Sequence, residues 1–273
     1  MTVVGLGLMG ASFALALGRA HPELELRGID QDPRTVGRAT EVGAVSVASP
    51  ELELMAGSDL IMIAIPLTGM RSLLHEMAVW VGSAVVSDMA STKASVTAWA
   101  VEAGIDLVGG HPMCGSERSG FDAADPTLFR RAPWLLTRHD PTVEWAVRAV
   151  GAEPRLVDPL HHDRLVAGVS HAAFMVSTAY VLAMARCDAW SDMRAVDAGV
   201  FRDMSRLAGG DAEVYLGITG TNATEIAIQL EAVEREIAGL RRRLESGDPA
   251  LADLFAEARE VRRSWEREQE ARR

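Results

Sequence analysis

Two short segments carry side chains that could do acid–base chemistry, and each follows a run that predicts a strand. The first reads SDMASTK from Ser87, and the second reads GGHPMCGSERSG from Gly109. His111 is the strongest candidate for chemistry, because an imidazole with an ordinary pKa of about 6.5 can accept a proton from a hydroxyl group near neutral pH. A loop histidine bonded to the backbone is the open alternative, since one histidine is weak evidence.

A glycine-rich turn at the start of the chain predicts a dinucleotide site. The motif G-x-G-x-x-G stands between a short strand and a helical pattern. Its first glycine permits a tight turn, its second lets the backbone approach a pyrophosphate, and its third lets helix and strand pack closely. The helix N-terminus offers free N–H groups to the phosphates. A glycine turn without a nucleotide is the weaker alternative in this context. The predicted cofactor contacts in the motif are Gly5, Gly7, Leu8, Met9 and Gly10.

Asp30 indicates which dinucleotide the site takes. It ends the second predicted strand, 20 residues after the last glycine of the motif. A carboxylate there accepts hydrogen bonds from ribose hydroxyls and repels a 2′-phosphate. The two residues that follow bring no arginine to bind such a phosphate, although Arg34 is nearby, and we predict NAD rather than NADP. Pro66, directly after the apolar run LIMIAI, is a further predicted cofactor contact.

The first half of the chain alternates short apolar runs with helical patterns, which predicts βαβ units and a parallel sheet. LIMIAI is apolar throughout, as in a strand covered by helices on both faces. The first strand is so short that we expect some upstream residues to be missing. The predicted strands cover residues 2–4, 25–29, 60–65, 84–87, 106–108 and 134–137, with helical patterns over 8–20 and 69–81.

The pattern changes near residues 154–159, beyond which no strand is predicted. The fold class is therefore α/β: an N-terminal Rossmann-type parallel sheet, the NAD-binding domain over 1–158, followed by an all-helical substrate and dimerisation domain over 159–273. The stretch 165–182 is nearly all apolar, and such a helix is buried in a core or against a second subunit. We predict a subunit interface and a homodimer. The predicted helices cover residues 160–186, 193–207, 223–245 and 249–269.

Composition excludes several classes of function. The 273 residues are 48% hydrophobic and 24% charged, which fits a globular chain rather than a disordered one. A net charge of −11 disfavours nucleic acid and anionic membranes as partners. No apolar run predicts a membrane span, and the N-terminus lacks signal-peptide features. The two distant cysteines, Cys114 and Cys187, fit a reducing cytoplasm and argue against a disulfide scaffold or zinc site. His161 and His162 are not expected to bind metal, because adjacent helical residues point in different directions.

Five segments together carry a family resemblance. GLGLMGAS, SDMASTK, GGHPMCGSERSG, HHDRLVAGVSH and FRDMSRLA, in this order and at these spacings, resemble the prephenate/arogenate dehydrogenase family. The resemblance runs from residue 3 to about residue 222, and HPM-x-GSE-x-SG is its most specific element. It implies a Rossmann domain, a helical dimerisation domain, and NAD-dependent oxidative decarboxylation of prephenate to 4-hydroxyphenylpyruvate in tyrosine biosynthesis.

The resemblance also implies roles for individual residues. His111 matches the catalytic histidine that hydrogen-bonds the ring C4 hydroxyl, and Ser91 matches the serine that helps to orient this hydroxyl. Arg206 matches the arginine that holds a substrate carboxylate, which a guanidinium can bind through two hydrogen bonds. The alternative interpretation of Arg206 is a surface ion pair with Asp203 or Asp211. The other predicted substrate contacts are Glu117 and Asp203 as acidic residues at the pocket entrance, Tyr215 as an aromatic gate, and Ser116 and His171.

Two departures from the family pattern matter. Phe174 stands where many members carry a second histidine, so prephenate, arogenate and 4-amino-4-deoxyprephenate all remain possible substrates. Cys114 stands where alanine is common, and we interpret it as a packing residue. The chain has no room for a regulatory domain after the helical region, so we expect a monofunctional enzyme.

Two rival classes share part of the pattern. A 3-hydroxyacid dehydrogenase or imine reductase has a similar turn, but the hydroxyacid enzymes use a lysine on a helix of the second domain. Lys93, the single lysine of the sequence, lies in the first half. A non-catalytic dinucleotide-sensing protein would not need His111, Ser91 and Arg206 together.

Overall fold

The structure is a computed structural model and describes residues 1–115, 118–197 and 199–271. These residues form two compact units, 1–226 and 227–273. The first unit contains every predicted site residue that the structure describes.

A six-stranded parallel sheet forms the N-terminal half of the first unit. Its strands are β1 (Thr2–Val4), β2 (Arg27–Ile29), β3 (Val47–Ser49), β4 (Leu60–Ile63), β5 (Val85–Asp88) and β6 (Leu107–Val108). They lie in the order β3-β2-β1-β4-β5-β6, and in a doubly wound sheet of this order ligands bind at the carboxyl ends of the strands, where the order reverses between β1 and β4. The predicted Rossmann-type fold class is confirmed.

Helices between the strands cover the sheet. They are α1 (Leu8–Ala20), α2 (Pro33–Glu41), α3 (Leu67–Met77) and α4 (Ala94–Glu102). All four residues of β4 are buried, as the apolar run LIMIAI predicts for a central strand. Phe13 of α1 meets Phe129 and Trp134 edge-on, with ring centroids 6.2 and 5.9 Å apart. This aromatic core joins α1 to the second, smaller sheet.

The smaller sheet positions the segment that contains His111. Its strands are β7 (Gly110–Pro112), β8 (Pro133–Leu136) and β9 (Glu153–Leu156), with α5 (Pro141–Ala149) between the last two. Strand β7 runs antiparallel to β8, and His111 is paired with Leu135. Strands β3, β7 and β9 are absent from the sequence prediction because each is short, and β7 and β9 contain proline, which disfavours a strand.

In the described residues after β9, all regular secondary structure is helical. The helices are α6 (Pro159–Val166), α7 (Ala172–Ala185), α8 (Trp190–Ala195), α9 (Val200–Ser205), α10 (Ala212–Ser246) and α11 (Leu251–Ala271). A π-helical turn, Ala167–His171, joins α6 to α7. The prediction of one helix over 193–207 is wrong, because α8 ends at Ala195 and Gly199 adopts a left-handed φ of 104° before α9. Helix α10 begins 11 residues before the predicted start and contains one non-helical residue, Asn222.

The segment Pro159–Ala185 is long and apolar enough to cross a membrane by length and composition, and the sequence did not predict such a span. A third of its most apolar stretch is buried within the structure. Its first turns carry the buried polar residues His162 and Asp163, which bond to the Rossmann half. Leu165 and Val169 are exposed on the same segment. Core and interface helices of water-soluble proteins have this composition too.

Candidate active site

The glycine turn has the geometry that its three roles require. Gly5 adopts a φ of +90° and donates its N–H to the Ile29 carbonyl at 2.7 Å, so the chain turns sharply after β1. A Cβ at Gly10 would overlap the Gly5 carbonyl oxygen. A Cβ at Gly7 would meet no described atom within 4 Å, so this stretch of backbone is open to approach. Because Gly7 is the N-cap of α1 and has no side chain, the first N–H groups of the helix can bind a phosphate.

Asp30 is fixed at the end of β2 beside this turn. Its Oδ2 accepts the Leu6 N–H at 2.7 Å, and its Oδ1 accepts the Asp32 N–H at 2.9 Å. Each carboxylate oxygen has a further lone pair that can accept a ribose hydroxyl. Pro66 is exposed at the N-cap of α3, just after β4, the neighbour of β1. These residues fit a dinucleotide at the switch point of the sheet.

A buried ion pair holds the backbone beside His111. Asp88 and Lys93 are fully buried, and the Lys93 ammonium contacts Asp88 Oδ2. Lys93 Nζ also donates to the Gly110 carbonyl at 2.6 Å, while the Gly110 N–H donates to Asp88 Oδ1 at 2.9 Å. Both backbone polar groups of Gly110 are thereby fixed. Only glycine fits there, because a Cβ would overlap the Asp88 carbonyl oxygen.

His111 begins a chain of hydrogen bonds that the sequence did not reveal. Its Nδ1 lies 2.9 Å from His162 Nε2, and His162 Nδ1 lies 2.7 Å from Asp163 Oδ1. Asp163 also accepts the Lys93 N–H at 2.7 Å and the Ala94 N–H at 3.0 Å, so this α6 side chain caps the N-terminus of α4. His162 and Asp163 are both buried. The helical half of the first unit therefore orients the histidine of the Rossmann half.

The direction of the hydrogen bonds follows from the carboxylate at their end. A carboxylate only accepts, so His162 carries a proton on Nδ1, and in its neutral form it accepts at Nε2. His111 must then donate from Nδ1, which leaves its Nε2 unprotonated. Burial holds the pKa of His111 well below its usual value, and the nearby His162, Lys93 and His171 lower it further. His111 is therefore a neutral base at pH 7, with an acceptor nitrogen.

His171 and Asn222 extend the same network. The Asn222 side-chain amide donates from Nδ2 to the Asp163 carbonyl at 2.8 Å and lies 3.3 Å from His171 Nδ1. His171 is buried, and this burial lowers its pKa to about 4, although the Asp163 carboxylate opposes the shift. The predicted residues His111 and His171 are thus brought together through three residues that were not predicted.

The remaining predicted residues lie outside this hydrogen-bonded network. Ser91 is half-buried in the loop between β5 and α4. Arg206 and Asp203 are exposed in segment 199–210. Ser177 of α7 binds this segment, because its Oγ donates to the Met204 carbonyl at 2.7 Å and accepts the Ala208 N–H at 3.1 Å. Within the described residues Arg206 forms no ion pair with Asp203 or Asp211. This weakens the alternative interpretation of Arg206 as a partner in a surface ion pair.

The aromatic gate residue has a partner that the sequence did not indicate. Tyr215 stacks on Phe174 with ring centroids 3.2 Å apart and planes 8° apart. Phe174, which replaces the second histidine, therefore packs against an aromatic ring. Predicted residues Ser116 and Glu117 lie outside the described residues.

Sequence reasoning missed His162, Asp163 and Asn222. The HHD triplet was interpreted as the start of a helix and as part of a segment that carries the family resemblance, but not as a partner of His111. The one available signal was an acid directly after a histidine. A partner 51 residues away, as His111 is from His162, cannot be recognised from spacing alone.

Fold and site together define a class: a dinucleotide-binding oxidoreductase of Rossmann fold, with a hydrogen-bonded histidine, His111, just beyond the carboxyl end of strand β6. Two family models match the chain: "Prephenate dehydrogenase, nucleotide-binding domain" over residues 13–151, and "Prephenate dehydrogenase, dimerization domain" over residues 158–257. The chain belongs to the prephenate dehydrogenase family. The predicted family and enzyme class are confirmed. The predicted domain boundary at 158 stays a prediction.

Individual relatives agree with the family models. A prephenate dehydrogenase of Lactococcus lactis is 27% identical over 278 residues, an alignment that covers 97% of this chain and 77% of the relative. The crystal structure of Synechocystis arogenate dehydrogenase is 28% identical and covers 97% of this chain and 99% of its own, with a TM-score of 0.81. Prephenate dehydrogenase from Aquifex aeolicus, solved with hydroxyphenyl propionate and NAD+, has a TM-score of 0.90 and covers 96% of both chains. At 23% identity this last likeness bears on the fold alone.

Proposed function

We propose that this chain catalyses the NAD-dependent oxidative decarboxylation of prephenate to 4-hydroxyphenylpyruvate, a step of tyrosine-type aromatic biosynthesis. The observation that supports it best is the His111–His162–Asp163 chain of hydrogen bonds, which uses Nδ1 of His111 and leaves Nε2 as the acceptor just beyond the carboxyl end of strand β6. Oxidation of a ring alcohol needs a base at this edge, because the hydroxyl proton must leave as hydride is removed from the same carbon.

The cofactor is NAD, held by the glycine turn and Asp30. The Asp30 carboxylate beside the turn favours free ribose hydroxyls and disfavours a 2′-phosphate. When bound, NAD supplies the hydride acceptor. Leu8 and Met9, half-buried in the first turn of α1, and Pro66 at the N-cap of α3 are the other cofactor contacts in this proposal.

His111 takes the proton from the C4 hydroxyl of the substrate at Nε2. Its Nδ1–H then donates to His162, whose own Nδ1–H donates to Asp163. The negative Asp163 carboxylate at the end of this chain stabilises the imidazolium that forms. Loss of carbon dioxide makes the ring aromatic and the step effectively irreversible, so the residues serve mainly to position the reactants.

Other predicted residues hold the substrate in this proposal. Ser91 orients the C4 hydroxyl, and Arg206 binds a carboxylate through its planar guanidinium. The family resemblance assigns Glu117 and Asp203 to the pocket entrance and Ser116 to a further substrate contact, and Tyr215 closes the site with its ring.

Arogenate is a second candidate substrate. Phe174, stacked on Tyr215 where many family members carry a polar histidine, removes a polar substrate contact and so leaves arogenate open beside prephenate. A related arogenate dehydrogenase from Synechocystis has the same fold at 28% identity. The aminated ring analogue, 4-amino-4-deoxyprephenate, is the third substrate to compare.

We also propose a cytoplasmic homodimer, with an NAD-binding domain over 1–158 and a helical domain over 159–273. The dimerization-domain match supports the assembly. Exposed apolar residues of the α6–α7 segment and α9, such as Leu165, Val169 and Val200, would be covered by a second copy rather than by lipid. The net charge of −11 disfavours nucleic acid as a partner, and a small anionic substrate needs a local positive charge, which Arg206 supplies in this proposal.

The test is an assay of NADH formation by absorbance, with prephenate, arogenate and 4-amino-4-deoxyprephenate compared at equal concentration. We expect turnover of prephenate with NAD and little turnover with NADP. The purified His111→Asn protein is the matched control for background reduction. Turnover of arogenate alone, or of the amino analogue alone, would make that compound the assigned substrate. Failure with all three acids would reject the proposed reaction.

A further inference from the structure

Helix α10 is interrupted at one residue, Asn222. Its backbone has a φ of −136° and a ψ of 26°, inside a helix that otherwise runs from Ala212 to Ser246. The residue is buried, with 5% of its surface exposed. A helix break forfeits backbone hydrogen bonds, so a buried break needs side-chain contacts to offset it. Here the side chain of Asn222 makes two such contacts.

The orientation of the Asn222 amide is fixed by its first contact. The Asp163 carbonyl oxygen can only accept, so the amide nitrogen must be the atom 2.8 Å from it. The second hydrogen of this nitrogen is directed to His171 Nδ1, 3.3 Å away. A ring nitrogen that faces an N–H donor must be unprotonated. The proton of neutral His171 therefore lies on Nε2.

His171 is neutral because burial lowers its pKa to about 4, against the opposing charge of Asp163. Its Nε2 is buried, and none of the described residues forms a hydrogen bond with it. A buried N–H without an acceptor is costly, so this group is suited to an acceptor that arrives from outside the protein. His171 is also near enough to His111 to lower the pKa of that base.

We propose that Asn222 is a positioning residue that holds His171 as its Nε2–H tautomer, so that His171 donates a hydrogen bond to a carbonyl or carboxylate oxygen of the substrate. The claim that this acceptor belongs to the substrate rests on the proposed function, whereas the assignment of the tautomer does not. The site then contains two histidines of opposite polarity: His111 accepts a proton at Nε2, and His171 donates a hydrogen bond from Nε2. The same Asn222 nitrogen also holds the backbone of Asp163, which anchors the His111 chain.

The tautomer can be read directly by NMR. In protein labelled with ¹⁵N-histidine, protonated and unprotonated ring nitrogens have well-separated shifts, and the His171→Gln variant identifies the His171 signals. At pH 7 we expect His171 to be protonated on Nε2 alone. In Asn222→Asp, a carboxylate of nearly the same shape accepts from Nδ1–H, so we expect a proton on Nδ1.

Kinetics then test whether the tautomer serves substrate binding. If His171 donates to the substrate, Asn222→Ala should raise the KM for the cyclohexadienyl acid about 10- to 100-fold, as for a lost hydrogen bond to a charged group, with a smaller change in kcat. Thr221→Val is the matched control on the same turn: it removes the 2.9 Å bond to the Thr92 hydroxyl but leaves both Asn222 contacts. This control should keep the wild-type tautomer and KM.

The outcomes separate the two proposals. A proton on Nδ1 of His171 in the wild-type protein overturns the positioning role whatever the activity, and so does an unchanged KM in folded Asn222→Ala. The expected tautomer, together with no turnover of any of the three acids, would instead reject the proposed reaction. If the Asn222 variants fail to fold, as judged by circular dichroism, the wild-type tautomer and the KM of His171→Gln decide the question.

Discussion

The base and the arginine of the proposed site lie in very different surroundings. His111 is part of a buried network whose polar groups bond to one another: His162, Asp163 and the Asp88–Lys93 pair. Arg206 is exposed on segment 199–210, which is built from short helical turns. The residues that bond to one another around His111 come from strands, loops and helices distant in sequence. Segment 199–210, in contrast, is attached to α7 through Ser177.

The difference reflects the two tasks. A base must meet the substrate proton at one orientation and one protonation state, so its hydrogen bonds are best formed before the substrate binds. A guanidinium that captures a carboxylate from water keeps its charge in any case and gains from being accessible. We therefore expect mutations of His111, His162 and Asp163 to change kcat, and mutations in segment 199–210 to change KM.

The largest effect is expected from His111→Asn. The amide is similar in size to the imidazole but cannot accept the proton, so kcat should fall by about 10²- to 10⁴-fold, the usual contribution of a general base. Steady-state NADH formation measures the loss, and calorimetric titration with NAD measures cofactor binding, which should be unchanged. Wild-type turnover in this variant would mean that another group is the base.

The pH profile sharpens the same point. Since the pKa of His111 lies below its usual value, the base is unprotonated at pH 6.5 and above. In the wild-type protein kcat/KM should therefore stay level as the pH falls to 6.5, and decline only at lower pH. A decline that begins above pH 7 would show that the base is not held neutral by its surroundings.

Arg206→Ala is expected to have a smaller effect, and on a different constant. Loss of the guanidinium should raise the KM for the substrate about 10- to 100-fold, as for a charged hydrogen bond, while kcat changes little. Arg202→Ala is the matched control, because Arg202 is an exposed arginine on α9, in the same segment. Equal effects of the two substitutions would indicate general electrostatic attraction instead of a specific carboxylate contact.

The contrast also explains what the sequence could reveal. The nucleotide turn was predictable because backbone geometry demands glycine at Gly5 and Gly10, and a local motif records such a demand. The position after a predicted strand indicated His111, and the family resemblance supported His111 and supplied His171. The partners of these histidines were not predictable, because His162, Asp163 and Asn222 act through contacts across 51 to 70 residues of sequence. The short strand β7 was missed for a related reason, since its pairing with β8 outweighs the poor strand propensity of its residues.

The smallest functional effect is expected at the two cysteines, of which Cys114 lies in the segment that carries His111. Burial raises the pKa of the half-buried Cys114 thiol to about 12 from an ordinary 9.0, so its thiolate fraction near pH 8 should be about a thousandfold lower than that of an ordinary thiol. Cys187 is exposed just after α7. Iodoacetamide followed by peptide mass analysis should label Cys187 first and leave turnover unchanged, and Cys187→Ser provides the control in which labelling of Cys114 is followed alone. Rapid labelling of Cys114 in the folded protein would mean that the segment that carries His111 opens to solvent, and that its hydrogen bonds are not formed before the substrate binds.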